Sequence, residues 1–139
     1  MIILDTNVIS EPLKPTPNQA VIDWLNAQLP TYLCTTTISI SELKYGLARL
    51  PEGSRKLALS KGLNFALAKM VDDRIEPFDL AAAEITGQLF ADAERSGFQI
   101  GNADGMIAAI AISKGYSIAT RDVLPFNAAG VRVINPWGE

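Results

Sequence analysis

Short apolar segments alternate with longer amphipathic segments along the whole chain. Residues 2–4 are entirely apolar, as strands buried in a parallel sheet tend to be. Four further short segments, at residues 32–36, 74–78, 116–120 and 131–134, are also typical of strands. Pro77 lacks the backbone donor that a central strand needs, so it places the third strand at an edge. The pattern therefore predicts five strands.

Helical periodicity fills the segments between these strands. Ile40, Leu43, Leu47 and Leu50 step by three, four and three residues, which forms one apolar stripe on a helix. That helix is predicted to open at Ser39. The remaining predicted helices cover residues 20–29, 54–71, 79–95 and 102–114, with Asp79 as an N-cap and with Gly97 and Gly115 as helix ends. The apolar run at 107–112 predicts that the last helix is buried on all sides.

Helices that separate strands at this spacing imply right-handed crossovers, so the predicted fold class is α/β with a parallel sheet. Three prolines punctuate a loop between the first strand and the first predicted helix. No repeat, low-complexity tract or linker divides the 139 residues, a length that suits one domain of ordinary size. We predict a single domain spanning residues 1–139.

The count of zero histidines restricts the chemistry more than any other number. It excludes Ser–His and Cys–His nucleophilic sites and zinc or iron sites with histidine ligands. Cys34 is the one cysteine, which excludes an internal disulfide and a cysteine-based zinc cluster. Catalysis would therefore depend on carboxylates, lysine, tyrosine, hydroxyls, backbone dipoles or a bound hard cation.

The charge balance and the hydropathy restrict location and partners. No apolar run approaches the roughly 20 residues of a membrane helix, and the first residues reach Asp5 without a basic segment. We therefore expect no signal peptide, no membrane association and a cytoplasmic location. The formal net charge of −3 argues against nucleic-acid binding through bulk positive charge.

Four acids are predicted to meet at one edge of the sheet. Asp5 directly follows the first strand, and Asp122 follows the strand at 116–120 by one intervening residue. Open α/β sheets bind ligands outside the carboxyl ends of their strands. Glu42 and Asp104 are each expected in the first turn of a helix at this edge, where the positive end of the helix dipole tolerates a carboxylate.

Each acid also has an ordinary structural explanation. Asp5 could cap a helix or form an Asx turn, and Glu42 follows Ser39 at the spacing of a capping box. Asp104 could complement a helix dipole, and Asp122 could be a loop acid. The conjunction is harder to explain in this way, because four converging acids would repel one another unless a cation is present.

Mg²⁺ or Mn²⁺ would relieve this repulsion, since hard cations bind carboxylate and water oxygens. Such ions activate water and neutralise phosphate oxygens, so no protein nucleophile is required. The acids therefore predict metal-dependent cleavage of RNA phosphodiester bonds, and a bound cation explains how an acidic chain engages nucleic acid. Small polar residues expected to assist, unless they serve as turns and caps, are Thr6, Asn7, Ser41 and Thr120.

Other patterns carry less weight. Ser41 and Lys44 match the S-x-x-K motif of acyl transferases, but the accompanying S-D-N and K-T-G motifs are absent. A phospho-acceptor receiver module would need paired acids after the first strand, and a D-x-D phosphatase would need an acid where Asn7 stands. A basic group between residues 49 and 69 indicates a solvated helix face more readily than a phosphate-binding rim: Arg49, Arg55, Lys56, Lys61 and Lys69. Trp24 and Trp137 are interpreted as packing residues rather than base-stacking platforms.

Four stretches together resemble the PIN-domain toxins of the VapC group. They are IILDTNVIS at residues 2–10, SISELKYG at 39–46, IGNADGMIAA at 100–109 and ATRD at 119–122. The closing VINPW at 133–137 is similar to the FitB-like subgroup. The motifs follow the family's order and span nearly the whole chain.

The resemblance implies the PIN-domain fold, an α/β/α sandwich around a parallel, Rossmann-like sheet. It implies a Mg²⁺- or Mn²⁺-dependent endoribonuclease toxin of a type II toxin–antitoxin system. It also implies a homodimer and a VapB- or FitA-like antitoxin that binds operator DNA. The alternative is a catalytically weak toxin-fold partner that acts mainly in the antitoxin–operator complex.

Two positions depart from the family's pattern. Pro125 stands where members commonly carry an aspartate shortly before the phenylalanine equivalent to Phe126. Gly105 stands where a larger side chain is often seen, and it is expected to widen the pocket.

Overall fold

Five short parallel strands form the central sheet. The computed structural model describes residues 1–139, and its strands are β1 (Ile2–Leu4), β2 (Leu33–Thr36), β3 (Ile75–Glu76), β4 (Ser117–Ala119) and β5 (Val133–Ile134). The strand order is β3-β2-β1-β4-β5. Ile3 lies opposite Cys34 on one side and Ile118 on the other, so β1 is central. The five predicted strands are confirmed, and β3 lies at an edge as Pro77 predicted.

Seven helices connect or follow the strands. They are α1 (Thr6–Ser10), α2 (Gln19–Ala27), α3 (Thr37–Ala48), α4 (Ser54–Met70), α5 (Leu80–Ser96), α6 (Asn102–Lys114) and α7 (Val123–Ala128). Asp79 caps α5 by accepting a hydrogen bond from the Ala82 N–H at 3.1 Å. Gly97 and Gly115 end α5 and α6 in the left-handed conformation, with φ of 74° and 71°. These three boundary predictions are confirmed, whereas α1 and α7 lie in segments where no helix was predicted.

Helix α3 begins earlier than the sequence predicted. Thr36 is its N-cap, because the Thr36 hydroxyl accepts a hydrogen bond from the Ser39 N–H at 3.0 Å. Ser39 therefore lies within the first turn, and Glu42 lies in the second. The capping box between Ser39 and Glu42, which was the alternative explanation of Glu42, is therefore excluded, because Thr36 already caps the helix. The predicted placement of Glu42 in the first turn is wrong.

Two apolar clusters cover the opposite faces of the sheet. Successive strand residues point to alternate faces, so Ile3 packs with α5, α6 and α7 while Leu4 packs with α1, α2 and α4. Helix α6 is buried from Ile107 to Ala111, but Ile112 is exposed, so its apolar run is not buried on all sides. The layers form the predicted α/β/α sandwich. No helix combines the length and the apolar character needed to cross a membrane.

Candidate functional site

The strand order reverses between β1 and β4, and the candidate site lies at this reversal. The chain builds β1, β2 and β3 toward one edge and then places β4 on the other side of β1. Ligands of open α/β sheets bind at such a switch point, outside the carboxyl ends of the strands. Asp5 follows β1 and donates its backbone N–H to the Ala119 carbonyl of β4 at 3.0 Å. The predicted edge is therefore the one that carries the first and fourth acidic motifs.

Asp5 is a buried acid, and only 3% of the residue is exposed to solvent. Its Oδ1 accepts a hydrogen bond from the Thr6 N–H at 2.8 Å, and its Oδ2 accepts one from the Thr120 hydroxyl at 2.7 Å. The first bond caps α1, so the structural explanation of Asp5 is correct for one oxygen. An ionised carboxylate offers about four lone-pair positions, so two hydrogen bonds leave it able to accept further contacts.

Thr120 connects Asp5 to the other polar residues of the site. Its buried hydroxyl oxygen accepts hydrogen bonds from Asn7 Nδ2 at 3.2 Å and from the Asp122 N–H at 3.0 Å. Asn7 Oδ1 in turn accepts the Arg121 N–H at 3.3 Å. Asn7 and Thr120, both predicted to assist the acids, are thus brought together with Asp5. The turn that carries Asp122 is fixed by the same contacts.

The four acids influence one another electrostatically. Burial raises the pKa of Asp5, the Thr120 hydrogen bond opposes this, and the charge of Asp122 adds to it. Burial raises the pKa of Asp104 to about 6, with further contributions from Asp5 and Asp122. Partial desolvation of its carboxyl group raises the pKa of Glu42 as well, and the charges of Asp5 and Asp104 raise it further. The structure therefore brings Asp5, Glu42, Asp104 and Asp122 into one negative field.

The arrangement is open rather than a closed metal cage. No three acidic side chains converge closely enough to coordinate one ion directly. Mg²⁺ usually retains several waters and is held by one or two carboxylates together with substrate phosphates. An all-oxygen donor set whose members raise one another's pKa fits a hydrated hard cation of this kind. The residues present therefore fit a divalent ion that is completed by water and substrate.

The remaining predicted residues differ in their surroundings. Asp104 is partly buried in the first turn of α6, as predicted, and the dipole explanation remains compatible with that position. Asp122 is exposed before α7 and does not cap it with its side chain. Thr6 contributes its backbone N–H to Asp5. Ser41 is exposed, and its hydroxyl does not belong to the hydrogen-bond network around Asp5.

Glu11 is a buried acid in the proline-containing segment after β1, which was predicted to be a loop. It begins a 3₁₀ turn that follows α1, and it is 3% exposed. Lys14 Nζ lies 3.0 Å from Glu11 Oε2, and the charge of Glu11 also contributes to the raised pKa of Arg121. A single acid before a proline gives no periodic signal, so its burial could not be predicted from the pattern.

Gly105 does not widen the pocket, contrary to the expectation from the sequence. A Cβ atom at this position would lie 2.4 Å from Phe90 Cζ. Gly105 is buried, and the space beside it is filled by the aromatic ring from α5. The absent side chain therefore allows close packing between α5 and α6.

The basic residues between positions 49 and 69 do not form a continuous phosphate-binding rim. Lys56 pairs with Glu52 at 2.6 Å, and Arg49 lies over the Tyr45 ring at 5.6 Å. Lys69 lines an apolar groove of about 630 Å³ between α2 and α4, together with residues such as Phe65. These contacts favour the interpretation as a solvated helix face.

The fold and the acids define an α/β protein with an acidic site at the switch point of a parallel sheet. The family model of the PIN domain matches residues 2–129. The VapC ribonuclease Y4jK of Sinorhizobium fredii is 45% identical over 137 residues, which cover 99% of this chain and 98% of the relative. The toxin FitB of Neisseria gonorrhoeae is 42% identical over 137 residues, covering 99% of both proteins.

A solved structure of FitAB bound to an IR36 DNA fragment contains a chain that matches with a TM-score of 0.92 and 40% identity. The match covers 100% of this chain and 97% of that chain. The chain belongs to the PIN-domain family, and within it to the VapC group. The resemblance stated from the sequence motifs is confirmed.

Proposed function

We propose that this chain is the toxin of a type II toxin–antitoxin system and a metal-dependent endoribonuclease. The observation that carries the proposal is the common negative field of Asp5, Glu42, Asp104 and Asp122 at the switch point of a PIN fold. A ribonuclease and a toxin, each aligned over nearly the whole chain, support the class of activity. The acids repel one another, and the chain has no histidine that could act as a general base. Both facts favour chemistry that depends on a bound cation.

In this proposal Asp5 and Asp104 are the direct ligands of the cation, and Glu42 and Asp122 act on it through bound water. When bound, Mg²⁺ or Mn²⁺ would neutralise charge on phosphate oxygens and lower the pKa of an attacking water. Thr120 orients Asp5, and its donated hydroxyl favours the ionised carboxylate and so opposes the rise in the pKa of Asp5 that burial causes. The polar groups Thr6, Asn7 and Ser41 lie beside the acids in sequence, where they can bind water or a phosphate oxygen.

Glu42 and Asp122 are assigned outer positions in the site. Both are exposed, so their carboxylates remain accessible to water and to an approaching substrate. The charges of Asp5 and Asp104 act on Glu42, and the charge of Asp122 acts on Asp5 and Asp104. An open site with accessible acids at its margin suits a polymer such as RNA better than a small enclosed ligand.

The test is cleavage of a labelled RNA pool by the purified, antitoxin-free chain with Mg²⁺ or Mn²⁺. Asp5→Asn and Asp104→Asn should each lower the rate by more than about 100-fold, since loss of an outer-shell contact already costs 10–100-fold. Asp73→Asn is the matched control, because Asp73 is exposed and precedes β3 at the opposite edge of the sheet. Cleavage by both site variants at the wild-type rate would refute the assignment.

We further propose that the chain forms a homodimer and binds a VapB- or FitA-like antitoxin, and that this complex binds operator DNA. The high structural similarity to a FitAB complex on DNA supports this partnership. Co-expression with an antitoxin of the VapB or FitA class should yield a complex that shifts operator DNA in a gel.

The alternative function, a catalytically weak partner in the repressor complex, is favoured by the same DNA-bound structure. It predicts normal operator binding by the complex while the free chain cleaves no RNA with either ion. Cleavage that depends on Asp104 would exclude it.

A further inference from the structure

Arg121 lies between two residues of the acidic site, but its side chain is directed elsewhere. Its backbone N–H donates to Asn7 Oδ1 at 3.3 Å, which fixes the turn between Thr120 and Asp122. The guanidinium pairs with the Glu139 carboxylate, with Nε 2.8 Å from Oε1, and this hydrogen bond together with the charges of Glu139 and Glu11 raises the pKa of Arg121. The guanidinium therefore lies to the side of the acids, toward the C-terminal segment.

The C-terminal segment holds this guanidinium in a defined orientation. Arg121 Cζ lies 5.3 Å from the centre of the Trp137 ring, and Trp137 is itself buried against the apolar cluster around Leu4. Arg121 Nε and Nη2 donate to the two carboxylate oxygens of Glu139 at 2.8 and 3.5 Å. The ring lies within cation–π distance of the guanidinium, and the Glu139 carboxylate occupies one edge.

This edge has the geometry that a phosphate would use. A guanidinium presents parallel N–H groups that bind carboxylates and phosphates in the same bidentate manner. The Glu139 side chain is 56% exposed, so its pairing with Arg121 is screened by water and readily displaced. The cation–π contact with Trp137 already restricts the arginine, which lowers the entropy lost when a ligand binds.

We infer that Arg121 binds a backbone phosphate of the RNA beside the acidic site, and that Glu139 occupies its place in the RNA-free chain. The inference rests on the proposed ribonuclease function and extends it to substrate binding. It supplies a fixed positive group next to acids that would otherwise repel RNA. The phosphate bound by Arg121 is a neighbour of the scissile phosphate, because the guanidinium does not face the four acids.

The experiment measures binding of a fluorescein-labelled, random-sequence single-stranded RNA by anisotropy over a range of salt concentrations. All variants carry Asp104→Asn so that the RNA stays intact, and thermal melts verify folding. Arg121→Gln should weaken binding about tenfold, the effect of one charge-assisted hydrogen-bonded contact. It should also reduce the slope of log affinity against log salt by about 0.7, the value for one phosphate on a single strand.

Three comparisons separate a phosphate contact from a general change of charge. Arg132→Gln removes the same charge from an exposed residue before β5, at the opposite edge of the sheet, and should have little effect. Arg121→Lys should keep the salt slope but bind less tightly than wild type, because it loses the bidentate fork. Glu139→Gln should tighten binding when Arg121 is present and have no effect in the Arg121→Gln background.

Equal effects of Arg121→Gln and Arg132→Gln would overturn the inference while RNA cleavage by the wild-type chain still supported the proposed function. If Glu139→Gln also tightened RNA binding in the Arg121→Gln background, Glu139 would not be the group that occupies the phosphate position on Arg121. A wild-type chain that neither binds nor cleaves RNA would instead refute the proposed function on which the inference depends.

Discussion

The hydroxyl of Thr120 donates a hydrogen bond to Oδ2 of Asp5 at 2.7 Å, across 115 positions of the sequence. A threonine hydroxyl has one hydrogen and two acceptor lone pairs. Both lone pairs are used, since Asn7 Nδ2 and the Asp122 N–H donate to the same oxygen. The remaining hydrogen is therefore directed at Asp5, where it stabilises the ionised carboxylate. One hydroxyl thus links the two strand ends that form the site.

Replacement of Thr120 by valine should weaken both the fold and metal binding. Valine has nearly the same shape, but it leaves two donors without an acceptor and Oδ2 of Asp5 without a donor. We expect the free energy of unfolding to fall by about 1–3 kcal/mol and the affinity for Mn²⁺ to fall about 10- to 100-fold. Denaturant titration and calorimetry measure the two effects. Thr120→Ser keeps the hydroxyl and should restore both, and unchanged Mn²⁺ affinity in Thr120→Val would contradict this role.

Substitutions at Thr36 and Glu42 should distinguish the contribution of helix capping from that of metal binding. Thr36→Ala removes the cap of α3 and should lower the free energy of unfolding by about 1 kcal/mol. Glu42→Gln leaves the cap intact and removes a like charge from the site, so the metal-free chain should not lose stability. It should instead reduce the rise in melting temperature that Mg²⁺ or Mn²⁺ produces. A loss of metal-free stability in Glu42→Gln equal to that of Thr36→Ala would restore the capping explanation.

Asp104 should make the metal-free chain less stable as the pH rises. Burial raises its pKa from the ordinary value of 3.8 to about 6. Between these values the folded chain retains a proton that the unfolded chain has released, so stability falls with increasing pH across this window. Asp104→Asn should give a shallower fall in melting temperature, with Asp73→Asn as the matched control. Identical pH profiles for Asp104→Asn and wild type would contradict the raised pKa.

The elements that the sequence predicted well are those with strong local patterns. The five strands are short apolar segments, and α6 has an uninterrupted apolar run that ends at Gly115. Helices α1 and α7 contain five and six residues, which is less than two turns and too short to show a period. The start of α3 was misplaced because threonine and serine recur from Thr35 to Ser41 and offer several capping candidates. Thr36 is the residue that caps the helix, because β2 ends at Thr36 and α3 begins directly after it.

The acids were predictable as a set because each follows a strand or begins near a helix at the same sheet edge. Their supporting contacts were not predictable, because they join residues far apart in sequence. The Thr120 hydroxyl could have pointed to solvent, and the buried position of Glu11 depends on the turn after α1. The packing of Phe90 on Gly105 likewise requires the registry between α5 and α6, which no local pattern encodes.

Gly105 should not tolerate a side chain, although replacing a helical glycine by alanine usually stabilises a protein. Gly105→Ala would place a Cβ 2.4 Å from Phe90 Cζ, and we expect the free energy of unfolding to fall by about 1–3 kcal/mol. Gly87→Ala in α5 is the control, since its Cβ would meet no atom within 4 Å and should stabilise the chain by about 0.5–1 kcal/mol. Denaturant titration measures both, and the cost of Gly105→Ala should shrink in a Phe90→Leu background. A gain in stability for Gly105→Ala would mean that the Phe90 ring moves aside at little cost, and it would contradict the tight packing of the ring on Gly105.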